Sequence, residues 1–277
     1  MNTIGVIGLG IIGEVWARHY DAAGKLAGAW NRTPKPAVPK WKNSPAEVAA
    51  AADAIQLVVA DPPAVESVLA AILPKLGPGK VIVQSSTIDA ESSLKFEQQV
   101  TATGARYLAA PFTGSKPAAE QRQTVFFLGG DKGLMAELEP LLALVSARRV
   151  PIGTNAQVCT FKLATNLNVA AQMQGLGEAL TLSRKAGVSD DVFFNALSSH
   201  VTYSGLVKLK EPKLKAGDFA PQFSVKHMLK DMRLLSKTAG CDDYLLLEAI
   251  RETLRKTEAA GSGDEDYAAV IKVAGKD

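Results

Sequence analysis

The sequence predicts an α/β fold in which a parallel sheet is wound on both faces by helices and is followed by an all-helical domain. Three observations carry that prediction. Short β-branched runs alternate with helical patterns through the first half, and such alternation implies a parallel sheet covered on both sides. A Gly-x-Gly-x-x-Gly run joins the first strand to the first helix. After Gly153 no strand-like run recurs and the pattern is helical.

Residues 3–7 read as the first strand, 11–23 as a helix and 25–30 as the second strand. Ser44-Pro45-Ala46-Glu47 has the form of a capping box with proline at the first helical position, so a helix begins there. Residues 54–59 are a buried-strand run, and a helix follows over 62–73. Gly77-Pro78-Gly79 marks a turn before a strand at 81–84, with further strands at 106–109 and 124–128 and a helix between Gly133 and Val145. From 155 to 186 runs one long helical pattern ended by Gly187, and 190–197, 224–239, 244–257 and 266–273 also read as helices. A helix of that length is longer than most in globular proteins and suits a spine between two domains or a dimer interface. The expected division is a dinucleotide-binding domain over 1–153 and an all-helical substrate and oligomerisation domain over 154–277.

At 277 residues, 47% hydrophobic and 21% charged, the chain is long enough to bury a substantial core. Its net charge of +3 is mild and its basic residues are scattered, which argues against nucleic acid as a partner. Two cysteines, Cys159 and Cys241, give neither a disulfide framework nor metal-ligand spacing and read as reduced core thiols. No basic leader precedes the first strand and no apolar run reaches membrane-spanning length, so a cytoplasmic location away from membranes is expected.

Gly8-Leu9-Gly10-Ile11-Ile12-Gly13 is a dinucleotide fingerprint in the context its mechanism needs, directly after a strand and opening a helix. Gly8 permits the tight turn, Gly10 lets backbone approach a pyrophosphate, and Gly13 lets helix and strand pack closely. The helix N-terminus then offers unpaired N–H groups to phosphate. The first half is thus a Rossmann-type doubly wound sheet. Its second strand ends at Asn31-Arg32-Thr33. Sites for NAD usually carry an acid here, whereas an arginine accommodates a 2′-phosphate, so the chemistry favours NADP(H). Arg32 also suits a solvated loop.

Outside this loop the usual catalytic patterns are missing. The three histidines form no metal spacing, and there is no Gly-x-Ser-x-Gly elbow or Walker loop. A hydride-transfer enzyme needs only a proton donor and a binding frame beside its cofactor. In the long helix Lys162 and Asn166 stand at i and i+4 among mostly apolar neighbours. Such a lysine either snorkels to solvent or faces a dry cavity, where desolvation suits general acid–base work.

These segments, with Asp61-Pro62, Ser86-Thr87, Ala110-Pro111-Phe112-Thr113-Gly114-Ser115-Lys116 and Phe223-x-x-Lys226-His227-x-x-Lys230-Asp231, resemble in order and over nearly the whole length the β-hydroxyacid dehydrogenase family. The branch it looks like comprises glyoxylate and succinic semialdehyde reductases. The resemblance implies Lys162 as catalytic acid and base, with Asn166 holding the substrate and orienting the lysine. It implies substrate contacts from Thr87, Thr113, Gly114, Ser115, Phe223, Lys230 and Asp231. It implies cofactor contacts from the fingerprint, Asn31, Arg32, Thr33, Val59, Ala60, Asp61, Thr87 and Lys230. A small carboxylate substrate and a homodimer or homotetramer are the partners expected. Three departures stand out. Thr113 replaces the usual serine, Thr154-Asn155-Ala156-Gln157-Val158 replaces a glycine-rich approach to the lysine, and the proline-rich stretch between Asn31 and Ser44 deletes most of a helix beside the adenosine. Two other readings share the scaffold: an imine reductase, against which Lys162 argues, and a non-catalytic NADP-binding module.

Overall fold

The computed structural model describes residues 1–275 other than 239 and 242, and two compact units divide it, Met1–Lys162 and Leu163–Asp277. The first unit holds one sheet of eight strands: β1 (Ile4–Ile7), β2 (Leu26–Trp30), β3 (Ala54–Leu57), β4 (Val81–Gln84), β5 (Arg106–Ala109), β6 (Phe112–Thr113), β7 (Thr124–Gly129) and β8 (Ser146–Gly153). The order is β2-β1-β3-β4-β5-β7-β6, with β8 also paired to β7. From β2 to β5 every pairing is parallel.

Period-2 alternation explains why these strands are apolar on both sides. Ile4, Val6, Ala54, Val81, Val83 and Leu108 belong to one core, while Ile7, Ile55, Leu57, Ile82 and Ala109 belong to another. The first core is closed by α1 (Gly13–Ala22), α5 (Lys116–Glu120) and α6 (Lys132–Leu142), through side chains such as Trp16, Ala119 and Leu138. The second is closed by α2 (Pro45–Ala51), α3 (Pro62–Ile72) and α4 (Ala90–Thr101), and by Val158 and Cys159 near the start of α7 (Asn155–Lys185).

The sheet is not wholly parallel. Only Ala110 and Pro111 separate β5 from β6, too short a link for a crossover. The chain therefore turns back, and β7 pairs antiparallel with both β5 and β6 before α6 carries it to a parallel β8. Among the described residues, α4, α5, β6, β8, α9 (Gly205–Ala216) and a π-helical turn over Glu258–Ser262 go beyond the elements read from the residue pattern.

The second unit is helical among its described residues. The rest of α7 packs with α8 (Asp190–Leu197), α9, α10 (Val225–Ser236), α11 (Leu245–Thr257) and a 3-10 helix over Tyr267–Lys272. Leu163, Met173, Leu180, Phe194, Met228, Ile250 and Ala269 are among its core residues. The 266–273 stretch is thus 3-10 rather than α-helical, because the Asp266 carboxylate accepts from Ala268 N–H and tightens the turn. Residue 239, at the expected end of the 224–239 helix, lies outside the described residues. Both cysteines are free and buried, and burial pushes the Cys159 thiol up to about 12. No helix among the described residues is long and apolar enough to cross a membrane.

Candidate active site: a dinucleotide loop and a lysine-bearing helix

The strand order reverses direction at β1, since β2 lies on one side of it and β3 on the other. Ligands of open α/β sheets bind in the crevice that such a reversal opens at the carboxyl ends of the strands. Residues 8–13 and 58–61 leave those ends. Gly8 has φ 102°, and a Cβ there would lie 2.2 Å from the Val58 carbonyl oxygen; at Gly13 it would lie 1.9 Å from the Gly8 oxygen. Side chains are therefore excluded at both positions by backbone. At Gly10 an added Cβ meets nothing within 4 Å. Its lack of a side chain serves space outside the protein's own packing.

The same loop is held in shape by the second strand. Leu9 N–H donates to Asn31 Oδ1 at 2.9 Å, and Asn31 Nδ2 donates to the Thr33 carbonyl at 2.9 Å. Arg32 and Thr33 beside it are exposed. No side chain caps α1, although Ser44, Asp61, Asp89 and Asp131 cap α2, α3, α4 and α6. The first-turn N–H groups of α1 thus form an electropositive end above exposed Gly10 and Ile11, with Ile12 half-buried. These residues fit a dinucleotide pyrophosphate. No helix covers residues 31–43; they turn back to bridge Ala29 to Trp41, in keeping with the deletion expected there.

At the opposite wall of the crevice, Val59 N–H donates to Ser86 Oγ at 2.8 Å, tying the end of β3 to the end of β4 just before half-buried Thr87. Ala60 is exposed, and Asp61 accepts from Ala64 N–H at 2.9 Å as the cap of α3. Thr113 and Gly114 are exposed at the end of β6, where Gly114 has φ 127°, and Ser115 makes no side-chain cap to α5.

The approach to the lysine is built from side chains. Thr154 N–H donates to Gln157 Oε1 at 2.8 Å and Gln157 N–H donates to Thr154 Oγ1 at 3.2 Å, a reciprocal capping box that starts α7. Buried Asn155 accepts from Ala109 N–H at 2.7 Å and so fixes the helix to the end of β5. This is how the chain manages without the glycine-rich approach. Asn155 and Ser86 stand in the sequence only as members of longer segments, with no role given to either. Their partners lie 46 and 27 positions away, so no local signal marks them.

One turn apart on α7, Lys162 is 9% exposed and Asn166 6%. The lysine is buried beside Val158 and Leu163, whereas Phe161 next to it is exposed. Asn166 Nδ2 donates to Asp231 Oδ2 at 2.6 Å, and Lys230 Nζ lies 2.7 Å from Asp231 Oδ1. Asp231 is 1% exposed, so this pair is not a solvated surface feature. Phe223 is half-buried, edge-on to Tyr267 at 5.9 Å and stacked on His227 at 6.5 Å. His227 Nδ1 shares a 2.7 Å hydrogen bond with Ser224 Oγ. Burial, then the charges of Lys230 and Lys226, hold its imidazole below the ordinary value. Two groups thus assemble within their own units: the fingerprint with Asn31 and Val59 in one, and Asn166 with Lys230 and Asp231 in the other.

Comparison with known proteins agrees with this geometry. Residues 3–159 match the model of the NAD-binding domain of 6-phosphogluconate dehydrogenase, and 156–274 match that of the NAD-binding domain of NADP-dependent 3-hydroxyisobutyrate dehydrogenase. Glyoxylate/succinic semialdehyde reductase 2 (chloroplastic) of Arabidopsis thaliana is 32% identical over 98% of this chain and 78% of its own length. Glyoxylate/succinic semialdehyde reductase 1 of the same plant is 30% identical over 97% of both. The crystal structure of 3-hydroxyisobutyrate dehydrogenase from Salmonella typhimurium superposes with a TM-score of 0.88 at 25% identity, covering 99% of this chain and all of that one. With its nucleotide loop, its two-part architecture and near full-length relatives at this level of identity, the chain belongs to the β-hydroxyacid dehydrogenase family, oxidoreductases that use a nicotinamide dinucleotide.

Proposed function

We propose that this oxidoreductase uses NADPH to reduce a small aldehyde that carries a carboxylate, of the glyoxylate or succinic semialdehyde type, with Lys162 as the proton donor. The observation that carries the proposal is a buried lysine one helical turn from an asparagine whose amide is itself anchored to the buried Asp231 carboxylate. Support for the substrate class comes from the Arabidopsis reductases of that name. Support for NADP(H) comes from exposed Arg32 at the end of β2, where no acid stands to repel a 2′-phosphate, and from the NADP-dependent family matched by the helical half.

When bound, the dinucleotide supplies the hydride that the carbonyl carbon receives. The residues of the chain do the rest. Gly10 and the open end of α1 receive the pyrophosphate, while Arg32 and Thr33 hold the 2′-phosphate with Asn31 keeping their strand end in place. Val59, Ala60, Asp61 and Thr87 line the crevice beyond. Backbone N–H groups and hydroxyls at Thr113, Gly114 and Ser115 are the groups of the first unit that bind the substrate carboxylate; in the second unit Lys230 binds substrate and Phe223 walls its pocket. Lys162 Nζ holds the proton and passes it to the carbonyl oxygen as negative charge grows there. Asn166, steadied by Asp231, keeps the lysine in line.

The test is NADPH oxidation against a panel of short aldehydes with and without a carboxylate, with cyclic imines alongside. Turnover confined to the carboxylate-bearing aldehydes is expected. Turnover of imines alone, or of none of the panel despite NADPH binding, would refute the assignment.

A further inference from the structure

The second unit contains a buried ion pair outside the residues assigned above. Lys210 on α9 is 1% exposed and Asp266 is fully buried, with Lys210 Nζ 2.7 Å from Asp266 Oδ1. Such a pair is costly to desolvate and is weak evidence for stability on its own. Burial is the chief influence drawing the Lys210 ammonium below its ordinary range, with Asp266 opposing it. Its other contacts indicate what it accomplishes. Asp266 Oδ1 also accepts from Ala268 N–H at 3.1 Å, while Oδ2 accepts from the backbone N–H groups of Gln222 at 3.0 Å and Phe223 at 3.3 Å. Lys210 Nζ donates in addition to Gln222 Oε1 at 3.2 Å and sits 4.5 Å from the centre of the Tyr267 ring, against which Phe223 packs.

Backbone bonds extend the attachment in both directions. Asp266 N–H donates to Phe219 O and Tyr267 N–H to Phe223 O, both at 2.9 Å. Val225 N–H donates to Glu265 O at 2.9 Å and Lys226 N–H to Gly263 O at 3.0 Å. The segment 219–226 is thereby fastened along its length to 263–267. That segment delivers Phe223 and then opens α10, the helix that carries Lys230 and Asp231.

We propose that Asp266, neutralised by Lys210, is a positioning residue for substrate selection. Its carboxylate sets the backbone at Gln222 and Phe223 and thereby the depth of the pocket that the Phe223 ring closes. This rests on the reading of Phe223 as the wall of a carboxylate-aldehyde pocket. A charged acceptor suits the task because two N–H groups must be held by one oxygen, and charge-assisted bonds are shorter and stronger than neutral ones.

The test is a double-mutant cycle on the full chain: Asp266→Ala, Phe223→Ala and both together, with KM measured for succinic semialdehyde, glyoxylate and NADPH. Asp266→Ala is expected to raise KM for succinic semialdehyde about tenfold, the size of one lost charge-assisted hydrogen bond, while KM for NADPH stays within about twofold. If Asp266 acts through Phe223, the double variant costs no more than Phe223→Ala alone. Additive losses, which a merely structural role produces, would overturn the proposal. Asp266→Asn, of the same shape, takes its place in the cycle should the alanine variant not fold. Amide hydrogen exchange over 219–226 supplies an arm independent of turnover. Faster exchange in the variant supports the clamp even if the wild type turns over no aldehyde, a result that would sink the functional reading alone. Unchanged exchange overturns the clamp.

Discussion

Two neighbouring glycines with opposite surroundings separate what the nucleotide loop does for the fold from what it does for the cofactor. At Gly13 an alanine Cβ would sit 1.9 Å from the Gly8 oxygen and 3.6 Å from Val58 Cβ. Against an ordinary contact of about 3.5 Å, the helix and loop must part by roughly 1.5 Å. Overpacking of that kind costs about 3 kcal/mol, which lowers Tm by about 6–12 °C for a protein of this size. At Gly10 the same methyl meets nothing within 4 Å and the backbone is not left-handed. Gly10→Ala should therefore change stability by less than about 1 kcal/mol. It should nevertheless push away a pyrophosphate held by backbone N–H groups. Losing one such bond to a charged ligand costs about 1.5–3 kcal/mol, or about 10–100-fold in Kd. Thermal melts together with calorimetric titration of NADPH read both quantities. Wild-type NADPH affinity in Gly10→Ala, or a wild-type Tm in Gly13→Ala, would refute the reasoning.

Three further outcomes follow from the site. Arg32→Ala should raise KM for NADPH about tenfold, the value of one lost bidentate contact to phosphate, with KM for NADH nearly unchanged; equal effects on both cofactors would contradict the 2′-phosphate role. Asp231→Asn removes the partner of Lys230 and weakens the anchor of Asn166, so kcat/KM for the aldehyde should fall about tenfold or more, whereas an unchanged kcat/KM would show that the buried carboxylate plays no part in the site. His227, whose imidazole burial and Lys230 hold below the ordinary value of 6.5, is favoured neutral in the folded state. Its contribution to stability is present above that value and lost as pH falls through the lower folded value. The Tm of His227→Asn should thus depend less on pH below about 6.5 than the wild-type Tm, and parallel profiles would disprove the linkage.

The nucleotide-binding half was legible where the signal is local. Gly8–Gly13, the Ser44 capping box and the apolar runs of β1, β3 and β4 each announce themselves within a few residues. Less was legible where an element exists only through its neighbours. Arg148 and Arg149 interrupt any apolar run in β8, which is held by its register with β7. In α9, Pro212 within the helix and Gly205 at its start disguise the periodicity. Only Ser93, Phe96 and Val100 of α4 are buried, and the cap at Asp89 is its clearest local mark. For the site the same division holds. Lys162 and Asn166 are found together because a helix repeats every three to four residues. The burial of Asp231 could not be read from a pattern that permits a solvated pair. Asp266 reaches Lys210 across 56 positions and Asn155 reaches Ala109 across 46, so tertiary packing alone reveals them.

The most direct measurement is single-turnover and steady-state oxidation of NADPH by succinic semialdehyde in wild type and Lys162→Ala, beside NADPH titrations of both proteins. Loss of a positioned general acid should lower kcat by about 10²–10⁴-fold, with NADPH affinity preserved because the nucleotide loop is untouched. A Lys162→Ala protein that still reduces the aldehyde at close to the wild-type rate would show that the proton comes from elsewhere.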